Sequence, residues 1–139
     1  MGDFEAEISV APAGGEAVSP AAFIVDHHLV ERAELRAASL SGGHLMHLAV
    51  AGCLFNDILR AARARGIEVD ELRVSADGGF EGDPLASTGI TYEVDLAADA
   101  PDEVLRALVA ECEAKAAIPY TLREGTAVEA SSISVRSGA

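Results

Sequence analysis

The chain has few aromatic and few basic residues. Tryptophan is absent and aromatic residues make up 4% of the 139 residues, although half of all residues are hydrophobic. The core is therefore expected to consist mainly of Ala, Val, Leu and Ile. The chain has ten basic and 23 acidic residues, which gives a formal net charge of −13. Such a surface repels phosphate backbones and anionic lipid headgroups, so neither nucleic acid nor a membrane is an expected partner.

A length of 139 residues predicts a single domain, residues 1–139, with a core large enough to fold alone. Residues 1–7 are acidic where a signal peptide would be basic, and the longest uninterrupted apolar run is too short to cross a bilayer. We therefore expect a cytoplasmic protein. Its two cysteines are then expected to be thiols unless they take part in redox chemistry.

Residues 44–66 predict one long helix with an unusual distribution of apolar residues. Its N-terminal half is apolar on every side and contains Cys53, its C-terminal half is amphipathic, and Gly66 is suited to end it. A helix that is apolar all round needs cover on every face, from a sheet, a partner subunit or both. Because so short a chain has few residues to spare for that cover, a homodimer is the simplest prediction.

The remaining pattern predicts an α+β fold. Alternating apolar and polar residues indicate strands at 4–10, 72–77 and 90–96, and the apolar run 18–26 indicates another. Residues 29–40 fit either a solvated strand or a short helix. Two glycine-containing segments, 78–79 and 82–84, are predicted to bracket a loop.

The C-terminal third predicts two helical segments and a strand. A helix starts in the acidic stretch 99–103 and has an apolar stripe that ends at Cys112. Pro119 is predicted to interrupt it, with a short turn after it that ends at Gly125. Residues 127–135 then predict a last strand, whose imperfect alternation suggests a bulge.

Five segments of the chain, in order, resemble the OsmC/Ohr superfamily of small thiol-dependent hydroperoxide reductases. They are 24–26, 49–53 (Ala-Val-Ala-Gly-Cys), 64–69, 90–94 and 120–126. The resemblance covers nearly the whole chain. It implies an OsmC-like fold, with antiparallel sheets around a long buried central helix, in an intertwined homodimer.

The resemblance also implies that Cys53 is a nucleophile that attacks an organic hydroperoxide or a related small electrophile. Cys53 would become a sulfenic acid, which a second thiol would then resolve. Family peroxidases carry that second cysteine at a position that corresponds here to Ala116 or Ala117. Resolution is therefore expected to fall to Cys112 or to an external thiol reductant.

Two activating residues of the family also differ in this chain. A glutamate at the start of the central helix is replaced by Gly43-His44, and an arginine after an N-terminal Gly-Gly is replaced by Glu16. A histidine, such as His44, could act instead as the charge partner of a Cys53 thiolate. Donors at a helix start and Arg123 are the other candidates.

Each candidate also has a purely structural interpretation. Cys53 and Cys112 could both be small buried hydrophobic residues, and Cys112 completes the apolar stripe of its helix. The four histidines, His27, His28, His44 and His47, could hold a transition metal or form a polar rim; we expect neither a metal nor a cofactor. The alternative function is a catalytically silent dimer that binds a small apolar ligand beside the central helices.

Overall fold

Five antiparallel strands form one sheet, and a long helix packs against one of its faces. The computed structural model describes residues 4–10 and 22–136. In chain order its elements are β1 (Ala6–Val10), β2 (Ala22–Asp26), β3 (Arg32–Ala37), α1 (Gly42–Ala64), β4 (Val69–Glu81), β5 (Ala86–Ala98), α2 (Asp102–Lys115) and α3 (Ala117–Glu124). The strand order is β2-β3-β1-β4-β5, with every neighbouring pair antiparallel. This is the α+β class that the sequence predicts.

The core lies between the inner face of the sheet and α1. Ile8 on the central strand β1 pairs with Val74 of β4 and Leu35 of β3, and the buried side chains of these strands face the helix. Polar residues such as Glu7 and Arg73 occupy the outer face, as the alternation predicts. The largest fully buried side chain is Phe55 of α1. The core is thus aliphatic apart from one helical phenylalanine and two buried histidines.

Helix α1 begins two residues earlier than predicted and ends where the sequence indicates. Ser41 is its N-cap, without a side-chain capping bond. At the other end Gly66 has φ +66°, its N–H donates to the Arg63 carbonyl (3.1 Å), and the Ile67 N–H donates to the Ala62 carbonyl (2.9 Å). This pair of bonds is the Schellman arrangement, which favours glycine because L side chains are strained at positive φ.

One face of α1 has little cover within a single chain. Leu45, Ala49 and Cys53 lie four residues apart on this open face, and Leu45 is 50% exposed.

Helix α1 is long and apolar enough to span a membrane by length and composition, although the longest uninterrupted apolar run in the sequence predicted no such segment. Nine of its residues are buried, against the sheet and the other helices.

Two predictions of local structure need correction, and one open alternative is resolved. Residues 32–37 are a strand, which is one of the two alternatives for 29–40. Strand β4 continues through Gly78-Gly79 to Glu81, with a register shift against β5, so the predicted loop is confined to residues 82–85. The break between α2 and α3 falls at Ala116, and Pro119 lies in the first turn of α3, where its missing N–H costs no helical hydrogen bond.

The predicted last strand is not formed in the single chain. Within the described residues, 125–136 have no strand or helix. The apolar side chains that suggested a strand are solvent-exposed, with Val128 at 90%, Ile133 at 79% and Val135 at 87%. This segment therefore has the composition of a strand but no neighbouring strand to pair with.

Gly78 must be glycine for reasons of space, and its replacement is expected to destabilise the protein. A Cβ at this position would lie 2.3 Å from the Gly89 carbonyl oxygen and 2.8 Å from His47 Nε2. Gly78→Ala is therefore expected to lower the free energy of unfolding by about 1–3 kcal/mol, because backbone and a buried ring would have to shift.

Gly42→Ala is the matched control, since a Cβ there meets nothing within 4 Å. Urea denaturation of both variants checks the prediction. A Gly78→Ala protein as stable as Gly42→Ala would contradict the packing described here.

Candidate functional site

Cys53 lies midway along α1. Its side chain is partly buried and contacts the first turn of helix α3. The backbone N–H of Ile118, the second residue of α3, points at Cys53 Sγ with an N···S distance of 3.5 Å. N–H groups in the first turn of a helix have no partner within the helix, and the helix dipole favours negative charge there. The sulfur is therefore placed where a thiolate gains both a hydrogen bond and a favourable dipole.

The residue that reaches the sulfur is Ile118, next to the positions that the resemblance implied for a second cysteine. Ala116 is fully buried and caps the two C-terminal helices, and Ala117 begins α3. The Ile118 Cα is bonded directly to the nitrogen that contacts Sγ. The backbone of Ile118 is therefore the part of this turn that contacts the Cys53 sulfur.

Cys112 lies on the inner face of α2 and belongs to the hydrophobic core. Its exposed fraction is 5%, and burial raises the pKa of its thiol, with Asp57 and Glu111 adding to the effect. Such a thiol forms little thiolate at neutral pH, and the thiolate is the form that reacts. Its surroundings match those of an inert packing cysteine.

Gly43, one of the two residues at the place of the family's glutamate, cannot be replaced by a residue with a side chain without a clash. A Cβ on Gly43 would lie 2.8 Å from ring atoms of both Phe4 and Phe80. These two rings pack edge to face, with centroids 5.0 Å apart, over the start of α1. Aromatic packing therefore occupies the space where the resemblance implies a carboxylate. Glu16, at the place of the family's arginine, lies outside the described residues.

His44 and His47 are buried at the N-terminal end of α1, where each forms one hydrogen bond through its Nδ1 atom. His44 Nδ1 is hydrogen-bonded to Ser41 Oγ (2.6 Å), and His47 Nδ1 donates to the Phe4 carbonyl (2.9 Å). Their Nε2 atoms are buried and have no hydrogen-bond partner among the described residues. His44 precedes Cys53 by nine residues, roughly 13 Å along the helix axis, so within one chain it does not reach the sulfur.

His27 follows β2 and contacts α1 at Asn56, three residues after Cys53. Its Nδ1 accepts the Leu29 N–H (3.1 Å), so its proton is assigned to Nε2, which donates to Asn56 Oδ1 (2.7 Å). The ring stacks on His28 with centroids 4.7 Å apart. Both ring nitrogens of His27 are therefore occupied in holding strand β2 to α1. The four histidines thus lie in two separate pairs.

Nothing in the described part of the chain brings together three or more His, Cys, Asp or Glu side chains in a metal-binding arrangement. The four histidines, which the sequence offers as possible metal ligands, lie in two pairs on different elements. His44 and His47 are on α1, whereas His27 and His28 follow β2.

A largely apolar cavity of about 320 Å³ lies between α1, β5 and α3. Val50 of α1, Ile90 and Tyr92 of β5, and Pro119, Leu122 and Arg123 of α3 contribute to its wall. Val50 lies three residues before Cys53, and Pro119 follows the residue whose N–H contacts Sγ. Sequence reasoning did not find this cavity, because its wall comes from three elements that are distant along the chain.

The chain is similar to one family model and to a solved structure. A family model described as OsmC-like protein matches residues 36–131. Among solved structures, the chain is similar to an OsmC-like hydroperoxide resistance protein from Jannaschia sp. CCS1, with 20% sequence identity and a TM-score of 0.49, over 90% of this chain and 91% of that one. No match was found among curated proteins.

Proposed function

The chain belongs to the OsmC-like family, and from this premise we propose that it reduces organic hydroperoxides with Cys53 as the nucleophile. The observation that carries the proposal is the Ile118 N–H directed at Cys53 Sγ from the start of α3. It supplies a stabilising partner for a thiolate in a chain that lacks the family's glutamate. The name of the similar Jannaschia protein, a hydroperoxide resistance protein, supports the same class of substrate.

The reaction has two stages, and an external thiol is the reductant in the second. The Cys53 thiolate attacks the terminal oxygen of a hydroperoxide, the O–O bond breaks, and the leaving alkoxide takes a proton to become an alcohol. Cys53 is then a sulfenic acid. One molecule of reductant thiol displaces water and forms a mixed disulfide, and a second thiol releases Cys53 and leaves as a disulfide.

An external thiol fits the site better than Cys112 as the resolving group. Cys112 is 5% exposed, and its raised pKa leaves little thiolate to attack a sulfenic acid. Cys53 is partly exposed and can meet a reductant from solvent. A cytoplasmic location, which we also propose, would supply such thiols, since that compartment keeps its thiols reduced. Because the Arg–Glu pair is missing, we expect a rate below that of relatives with the full set.

We further propose that the protein works as a homodimer whose contact includes the open face of α1. Leu45 is half exposed there, and Tyr120 and Leu122 of α3 expose further apolar surface. A soluble monomer seldom leaves a continuous apolar patch of this kind uncovered. A second copy would also offer a sheet edge to the exposed segment 127–135. Cys53 lies on the open face, so the partner would form part of the wall of its pocket.

Comparison of two serine variants tests the role of Cys53. Cys53→Ser is expected to reduce cumene hydroperoxide consumption, measured with dithiothreitol as reductant, to the uncatalysed background. Cys112→Ser is the matched control and is expected to keep the wild-type rate, because its thiol has no part in the proposed steps. Equal activity of the wild type and Cys53→Ser would refute the proposal.

The second candidate function is a catalytically silent dimer that binds a small apolar ligand. The 320 Å³ cavity favours it, since its volume and mostly apolar wall are typical of small-molecule sites. The same serine pair separates the two functions. A silent binder would leave peroxide unconsumed in the wild type while an apolar ligand still bound to it.

A further inference from the structure

Met46 places a second sulfur atom on the side of α1 that faces the cavity of about 320 Å³. It is the chain's only methionine besides Met1, and its side chain lines the cavity and is partly exposed. Val50, one helical turn further along α1, lines the cavity as well. Met46 precedes Cys53 by seven residues, roughly 10 Å along the helix axis, so its sulfur is a reaction centre separate from the cysteine.

The wall around Met46 offers an apolar surface to a molecule that enters the cavity. Its carbon surface comes from Val50, Ile90, Pro119 and Leu122, and Arg123 is its charged side chain. The Tyr92 hydroxyl already donates a hydrogen bond to the Glu113 carboxylate. Burial and this carboxylate raise the pKa of Tyr92 to about 12, so its ring stays neutral at physiological pH. An organic hydroperoxide in the cavity would therefore lie against apolar groups and the Met46 thioether.

We propose that Met46 is a peroxide-sensitive modification site, at which an organic hydroperoxide oxidises the thioether to a sulfoxide and thereby lowers the affinity of the cavity for apolar molecules. The inference rests on the proposed function, because it takes organic hydroperoxides as the molecules that reach the cavity. A lone pair on Met46 Sδ attacks the terminal peroxide oxygen, an S–O bond forms and the O–O bond breaks. The proton of that oxygen passes to the leaving alkoxide and gives an alcohol. The sulfur is oxidised, the peroxide is reduced, and no further reactant is needed.

A thioether needs no charge partner for this step. Cys53 must lose a proton before it reacts, whereas Met46 has none to lose. The product carries a polar S=O group in a mostly apolar wall. An apolar molecule that covers this oxygen without a hydrogen bond binds less well, because the oxygen loses its contact with water. Oxidation of Met46 under excess peroxide would therefore reduce the entry of more peroxide.

A binding titration before and after peroxide treatment tests the inference in Cys53→Ser, which has no thiol at position 53. The protein is treated with excess cumene hydroperoxide, separated from it, and titrated calorimetrically with cumyl alcohol, the alcohol that this peroxide gives. Peptide mass spectrometry is expected to locate an added oxygen on Met46. The affinity for cumyl alcohol is expected to fall about tenfold, the effect of exposing roughly two methylene groups to a polar environment.

The double variant Cys53→Ser/Met46→Leu is the matched control, because leucine is apolar, is close to methionine in volume and is not oxidised by peroxide. Its affinity for cumyl alcohol is expected to be the same before and after treatment. Hydrogen peroxide is the second comparison, with free N-acetylmethionine added as an internal standard. Relative to this standard, cumene hydroperoxide is expected to oxidise Met46 more than hydrogen peroxide does, because only the organic peroxide gains from the apolar wall.

Four results would overturn the inference. They are an absence of cumyl alcohol binding, a Met46 that stays unoxidised or is oxidised no more than the standard, an affinity that treatment leaves unchanged, and an equal loss in the double variant. An active wild type with any of these results would refute the inference and leave the proposed function standing. Oxidation of Met46 with the expected loss of affinity, in a protein whose wild type consumes no peroxide through Cys53, would refute the proposed function and leave this site standing.

Discussion

Replacing Ile118 by cysteine is expected to give a protein that forms an intrachain disulfide with Cys53 under peroxide. The Ile118 nitrogen lies 3.5 Å from Cys53 Sγ, so its Cα lies within about 5 Å of that sulfur, given the length of an N–Cα bond. Disulfides need Cα atoms of the two cysteines about 4.4–6.8 Å apart, a range within reach of this pair. We expect near-complete bridging in Ile118→Cys after one equivalent of cumene hydroperoxide.

The wild type, in contrast, is expected to show no bridge between Cys53 and Cys112, since Cys112 is part of the core. The disulfide in the variant and that in the wild type are both measured by mass spectrometry of the digested protein under non-reducing conditions. Ile118→Ser is the control for loss of the isoleucine side chain, and Ala116→Cys and Ala117→Cys complete a scan of the three positions. A bridge that forms best at position 116, or a stoichiometric Cys53–Cys112 bridge in the wild type, would contradict the geometry.

Ala49→Glu is expected to dissociate the proposed homodimer. Ala49 lies between Leu45 and Cys53 on the open face of α1, and a carboxylate there would be buried without a partner in the dimer. Burying this charge lowers the free energy of association by about 3 kcal/mol or more, which weakens the dimer at least ~100-fold. Light scattering is expected to give twice the chain mass of 14.3 kDa for the wild type and a lower mass for the variant.

Ala110→Glu is the matched control, because Ala110 is an exposed residue of α2 away from the open face. It is expected to remain dimeric. A wild type that scatters as a stable folded species of 14.3 kDa would refute the dimer, and so would an Ala49→Glu protein that dimerises like the wild type.

Residue patterns were sufficient to predict the elements that hold the site. The alternation in β1, β4 and β5 predicted which side chains face the core, because a strand turns successive side chains to opposite faces. Gly66 predicted the end of α1, since few other residues adopt its positive φ. The family resemblance added the arrangement of antiparallel sheets around the central helix and the role of Cys53 as a candidate nucleophile.

Features that depend on contacts between distant segments were not predictable. Strand β4 runs through Gly78-Gly79 because β5 pairs with it and His47 leaves no space for a Cβ, although Gly-Gly alone favours a turn. Residues 127–135 alternate as a strand would, yet in the single chain they pair with neither of the two edge strands, β2 and β5. The donor to Cys53 is a backbone N–H, which every residue except proline carries, so no residue type could indicate it.

Trapping of a sulfenic acid with dimedone tests most directly whether Cys53 is the reacting thiol. The protein is treated with less than one equivalent of cumene hydroperoxide in the presence of dimedone and is analysed by peptide mass spectrometry. The account predicts one dimedone adduct, located on Cys53, with Cys112 unmodified. Peroxide that is consumed without an adduct on Cys53, or an adduct on Cys112 alone, would contradict it.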